Sequence, residues 1–233
     1  MLFKNRFLLT PFLVFFLANA FPVQTASVPL AVPGAQFRAL LTQAPGISPQ
    51  ALETALAAQK RLQADGVRVR SDVLVVIDYT RPSTEPRLWV FDLNHTRVLF
   101  EELVAHGKNS GDNRAVRFSN QPGSLMSSIG VFLTGDTYIG KHGLSLRLEG
   151  LEKGINDKSM ERAIVLHAAS YVSERVRRRE GRIGRSWGCP AVRPEISRQL
   201  IETVEEGAVL LAYYPEKSWL ETSRLGDHPR RLR

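Results

Sequence analysis

Between residues 73 and 214 the apolar residues abandon helical spacing and gather into short β-branched and aromatic runs, and this confines the chain to a sheet-rich core. Residues 73–79, 88–91 and 98–104 form three such runs. Turn formers separate them, among them Arg81-Pro82-Ser83 and Asn94-His95, which predicts consecutive antiparallel strands. A further run covers 130–134, and 163–166 reads as a short buried strand ending at His167. Helical spacing returns over 197–205, followed by a last strand at 208–214. Upstream, Ser48 as N-cap and Pro49 at the first helical position precede Ala51, Leu52, Leu56, Ala57 and Leu62 at helical spacing, with Gly66 as the stop. The expected fold class is therefore mainly β (α+β). One sheet-rich domain spans 71–215, a linker and helix occupy 21–70, and a basic polar tail runs over 216–233, ending Arg230-Arg231-Leu232-Arg233. No internal repeat is visible.

The first 20 residues read as a cleaved export signal. Lys4 and Arg6 precede an apolar run over 7–17, and Ala18-Asn19-Ala20 supplies small residues for a cut after Ala20. A membrane span needs about 20 apolar residues; this run is shorter and contains Thr10 and Pro11. The expectation is a periplasmic or secreted protein with no stable membrane insertion after cleavage. The formal charge is +8, and +6 without Lys4 and Arg6, which favours anionic partners. Outside the cytoplasm nucleic acid is not the expected one, whereas cell-wall polymer offers peptide carboxylates. Composition leaves the oligomeric state open.

Cys189 is the only cysteine, so the core must hold without disulfides and the thiol has no partner to oxidise with. It lies in Gly184-Arg185-Ser186-Trp187-Gly188-Cys189-Pro190-Ala191, where glycine and proline oppose helix or strand and suit display of a nucleophile. A base within reach would make that thiol useful. His167, closing the apolar stretch Ala163-Ile164-Val165-Leu166, is the leading candidate, and the 22 positions to Cys189 allow the chain to fold back. Such an activated thiol is expected to alkylate below the ordinary thiol pKa of about 8.5. His95, His106 and His228 lie in turn-like or tail contexts and receive no role. Paired Cys or His at zinc-site spacing is missing, so no metal is expected. Neither is a cofactor, and no Ser is followed three residues later by Lys as in serine acylases. The arginines 175, 177, 178 and 179 read as a solvated loop that could border an anionic glycan.

Histidine before cysteine, with Ser186-Trp187-Gly188-Cys189, makes residues 73–214 resemble the murein L,D-transpeptidases (YkuD-like), whose signature is a histidine followed by Ser/Thr-His-Gly-Cys. Trp187 stands where that signature has its second histidine. The chain is similar to a divergent branch that continues Gly-Cys-Pro-Ala and carries segments like Tyr138-Ile139-Gly140-Lys141-His142-Gly143 and His167-Ala168-Ala169-Ser170-Tyr171-Val172. The resemblance implies a β-sandwich catalytic domain with short helices, acting on peptidoglycan stem peptides as partners. It also implies Cys189 as nucleophile, His167 as general base and the Ala168 carbonyl as the group that orients the ring. Backbone N–H groups of Gly188 and Cys189 can serve the oxyanion, whereas Pro190 has none. Arg185, Ser186, Trp187, His142 and Tyr138 are the substrate-binding candidates, with Arg185 suited to a stem-peptide carboxylate. The expected reaction cross-links third stem residues through a Cys189 thioester. Two alternatives stand beside it: an L,D-carboxypeptidase trimming tetrapeptides to tripeptides, and a noncatalytic wall-binding module.

Overall fold

The computed structural model describes residues 34–225 of the 233-residue chain. The signal segment, the predicted cut after Ala20, the first part of the linker, His228 and the terminal arginines lie outside the described residues.

Eight strands join in one continuous sheet. They are β1 (Val73–Asp78), β2 (Leu88–Asp92), β3 (Arg97–Glu102), β4 (Gly130–Gly140), β5 (Gly143–Gly150), β6 (Val165–Ala168), β7 (Ala191–Val192) and β8 (Val209–Tyr213), in the spatial order β3-β2-β1-β8-β4-β5-β6-β7. The pairs β1/β8 and β6/β7 are parallel and the others antiparallel. The expected core is thus mainly β with short helices, its strands linked in a single ladder.

The near-continuous apolar character of β1 and β8 follows from burial on both faces, for every residue of either strand is buried. Val73, Val75 and Ile77 face one cluster, where they meet Leu146, Leu166, Val192 and three residues of α4 (Pro194–Val204): Leu200, Ile201 and Val204. Leu74 and Val76 face the other, built with α1 (Gly34–Gln43) and α2 (Pro49–Ala64). At the edge, β3 alternates between exposed and half-buried residues.

Ser48 caps α2, its Oγ accepting from the Ala51 N–H at 3.4 Å. The helix packs onto the sheet. The Ser48 N–H donates to Asp78 Oδ2 at 2.9 Å, and the buried Gln59 amide donates to the carbonyls of Arg70 and Val73.

Three segments depart from the sequence reading. Within the expected linker, 34–43 is helical because Leu40, with Ala44 just beyond, is completely buried against α2 and the sheet. The arginine run is a helix, α3 (Glu174–Glu180), capped by Ser173 Oγ on the Val176 N–H and ended by Gly181 at φ +65°. Residues 217–222, placed in the polar tail, form α5 (Lys217–Thr222), whose Trp219 is fully buried and donates from Nε1 to Glu152 at 3.0 Å. Each turns on one buried residue (Leu40, Val176 or Trp219) with too few apolar neighbours in sequence for periodicity to register.

Candidate active site

Burial along β4 declines from its start to its end. The hairpin it makes with β5 leaves the core there and carries Lys141 and His142 at its tip. Across the ladder Tyr138 pairs with Ser145 and Ser145 with His167, so three neighbouring strands set these residues side by side. His167 in turn pairs with Ala191 of the parallel β7. Two residues before that pair, Cys189 in the loop ahead of β7 meets Val165 of β6, whose N–H donates to the Cys189 sulfur at 3.5 Å. The thiol faces the Ala163 carbonyl at 3.6 Å. Ala163 has φ +51°, an uncommon conformation for a residue with a Cβ.

His167 Nδ1 lies 2.8 Å from the Ala168 carbonyl oxygen. A carbonyl can only accept, so Nδ1 carries the proton and Nε2 keeps its lone pair. Burial, foremost, lowers the His167 pKa, and the charges of His142 and Lys141 push the same way against the Ala168 hydrogen bond. The ring is therefore a neutral base at pH 7. Burial likewise dominates at Cys189 and raises the thiol, opposed by the Val165 N–H and by Arg162 and Lys141. Both groups are thus neutral at pH 7; the sulfur's hydrogen-bond partners are the Val165 amide and the Ala163 carbonyl, and the ring's is Ala168. Burial thus opposes the expected reactivity of the thiol below its ordinary pKa.

The loop before Cys189 is held by polar contacts. Ser186 is buried; its Oγ accepts from the Gly188 N–H at 3.0 Å and donates to the Cys189 carbonyl at 2.6 Å. The Gly188 amide is thus engaged within the turn, unlike the expectation that it stands free for an oxyanion. Ser127 Oγ donates to the Gly188 carbonyl at 3.0 Å. Gly188 has φ +131°, and a Cβ there would lie 2.8 Å from the Met126 carbonyl oxygen. Only glycine fits such an approach.

Arg185 is committed elsewhere in the structure. Its guanidinium donates to the carbonyls of Lys108 and Gly111 and lies 3.5 Å from Asp112. Trp187 is 68 % exposed, with Lys108 Nζ and Lys141 Nζ at 5.9 and 5.3 Å from its ring centre. His142 stacks on His167, ring centres 4.3 Å apart and planes at 22°. Tyr138 lies under the Arg147 guanidinium at 4.7 Å. His106 is fully buried and accepts at Nδ1 from Arg87 at 2.7 Å, away from any ligand-like cluster. Among the described residues no three His, Cys, Asp or Glu side chains converge as metal ligands.

Two residues with no sequence signal complete the site. Arg162 bonds only neutral oxygens: the carbonyls of Ser119 and Met126 and the hydroxyls of Ser124 and Ser128. It thereby clamps the 119–128 segment behind Gly188. Ser127 closes the same contact from the other side. Only the fold brings these segments together, since 61 residues separate Ser127 from Gly188.

A family profile described as the L,D-transpeptidase catalytic domain matches residues 43–213, most of the chain and all of the site. The chain belongs to this family. Among solved structures, an L,D-transpeptidase from Mycobacterium smegmatis is similar at 15 % identity and TM-score 0.38, covering 61 % of this chain and 59 % of that one. The helical cell shape determining protein Pgp2 from Campylobacter jejuni is similar at 14 % identity and TM-score 0.40, covering 69 % and 57 %. An L,D-transpeptidase from Stackebrandtia nassauensis is similar at 15 % identity and TM-score 0.36, covering 79 % and 93 %. The chain thus spans about three-fifths of the length of the first two. A comparison with curated protein sequences gave no match. Among the described residues no helix is long and apolar enough to cross a membrane.

Proposed function

We propose that this chain is an exported cysteine acyltransferase that joins the third residues of peptidoglycan stem peptides. The reading rests on family membership together with one observation: the Cys189 sulfur is seated on the Val165 amide, two residues from His167, whose proton is held on Nδ1 by Ala168. In the proposed reaction the sulfur attacks the carbonyl of the third stem residue while its proton passes to His167 Nε2. An S–C bond forms, and the developing oxyanion meets the Cys189 N–H. Collapse breaks the C–N bond, and His167 returns the proton to the departing D-alanine amine. The thioester is then taken by the amine of a neighbouring stem, which releases the thiol. Burial keeps His167 neutral and hence able to accept at the start of the cycle.

Mass analysis of muropeptides incubated with the wild-type protein and with Cys189→Ala tests this. Dimers linked through third residues, made only by wild type, are the expected result. Tripeptides without dimers would assign the thioester to water and make the protein an L,D-carboxypeptidase. Unchanged muropeptides, with retained binding to cell wall, would make it a noncatalytic module.

A further inference from the structure

Several arginines of the fold are matched with acids: Arg70 with Asp72, Arg193 with Glu102, and Arg182 and Arg185 with Asp112. Arg162 is not. It is half-buried, and among the described residues no carboxylate pairs with its guanidinium, whose donors meet only carbonyls and hydroxyls. Taking a guanidinium out of water without an opposing charge costs stability that neutral oxygens offset only in part. Arg87, fully buried and likewise bonded to neutral groups, has Asp78 within electrostatic reach. The ionisable group that favours the charge on Arg162 is Cys189.

The position of that charge is tightly set. Nη2 donates at 2.6 Å to the Met126 carbonyl, the same oxygen that a Cβ on Gly188 would strike, and such a Cβ would lie 3.3 Å from Nη2 itself. The next residue, Ser127, donates to the Gly188 carbonyl and is fixed from behind by the Gly107 amide and by its own N–H on Ser110 Oγ at 2.9 Å. Arg162 therefore backs the turn that presents the thiol. Its neighbour Ala163 supplies the carbonyl that the thiol faces.

Other titratable groups surround the sulfur. His167 comes from β6, with His142 stacked on it; Tyr79 follows β1 and Tyr171 follows β6. The cations that act on the thiol are Arg162 and Lys141, and Lys141 projects from the exposed β4–β5 tip, where water and salt screen it. Arg162 is the cation built into the scaffold.

We infer that Arg162 is a positioning residue for the nucleophile: it pins the 119–128 segment against Gly188 and sets an uncompensated guanidinium charge behind the turn, where it steadies the thiolate formed when the proton leaves sulfur. The use made of that thiolate rests on the acyl-transfer reading, whereas the charge and its place rest on the fold. A fixed charge aimed at where negative charge develops needs no reorganisation at the moment of reaction.

Iodoacetamide labelling of Cys189 across pH, in the full chain and in Arg162→Gln and Arg162→Lys, tests this without any peptide substrate. Loss of the charge should move the labelling limb of Arg162→Gln to higher pH and slow labelling below it by at least about three-fold. Arg162→Lys should largely restore the limb. Muropeptide turnover should fall about 100-fold in Arg162→Gln and stay low in Arg162→Lys, because an ammonium lacks the fork that reaches four oxygens. In the wild-type protein, the guanidinium nitrogen resonances of Arg162 should titrate with the thiol limb and lose that step in Cys189→Ala, a measurement that stands even where Arg162→Gln fails to fold. A limb that stays in place in folded Arg162→Gln, an equal shift in both variants, or resonances blind to the thiol would overturn the assignment. A shifted limb with no muropeptide product from wild type would overturn the acyl-transfer reading and keep Arg162 in its role.

Discussion

The middle of the sheet and its β6–β7 end are held by different forces. In β1 and β8 all eleven residues are buried, and five parallel register pairs align side chains into two apolar clusters. At the other end β6 and β7 share only two pairs, and side-chain hydrogen bonds from Ser127, Ser186, Arg162 and Arg185 to backbone oxygens set the conformation. Apolar burial is non-directional and tolerates the loss of any one contact in part, whereas a polar scaffold fixes atoms to a fraction of an ångström. Stability is thus concentrated in one region and chemistry in the other.

The comparison breaks first at the nucleophile. Cys189→Ala should lower product formation by at least about 1,000-fold with the unfolding midpoint almost unchanged; a comparable loss of stability would erase the division. Next, Leu74→Ala, at a side chain with no exposure, should cost about 2–5 kcal/mol in denaturant unfolding while kcat/KM at low temperature stays near wild type. Gly188→Ala should sit between the two. It forces a Cβ to 2.8 Å from the Met126 carbonyl at a φ that disfavours it, costing about 1–3 kcal/mol and a larger fraction of activity.

Acid sharpens the comparison further. Burial, followed by the Arg87 charge, lowers His106 to about 3, and burial lowers His167 as well. Below the ordinary imidazole pKa of about 6.5 the unfolded chain binds protons that the folded one refuses. Stability therefore falls as pH falls from there toward 3, by up to about 1.4 kcal/mol per pH unit for each such group. His106→Gln should flatten that slope in urea titrations at pH 4–7. Iodoacetamide labelling of Cys189 should show the opposite limb, accelerating only above the usual thiol range, because burial raises that thiol. Smallest is Ser48→Ala, which removes the α2 cap at a cost of about 1 kcal/mol and leaves turnover untouched.

Long-range signals were legible wherever many residues carried them. The strands at 73–78, 88–92, 97–102 and 209–213 and the helix from Pro49 were readable because each repeats its pattern over several positions. The long β4–β5 hairpin was read only at its start, since its outer half is half-exposed and alternates poorly. The helices at Gly34, Glu174 and Lys217 escaped because single buried residues anchor them. In the site, Cys189, His167 and their motif could be named from spacing and resemblance. Arg162, Ser127, Lys108 and Lys141 could not, as nothing local marks them.

From the order of residues alone came the class of fold, the helix cap, and the thiol and imidazole proposed for acyl transfer. These depend on local periodicity and on residue chemistry, which neighbours in sequence carry. Tertiary structure decided that Arg185 braces a loop, that Gly188 must approach Met126, that burial leaves both reacting groups neutral, and that two unpaired lysines meet over Trp187. Each of these is a distance or a loss of solvent between residues far apart along the chain, and neither exists until the chain is folded.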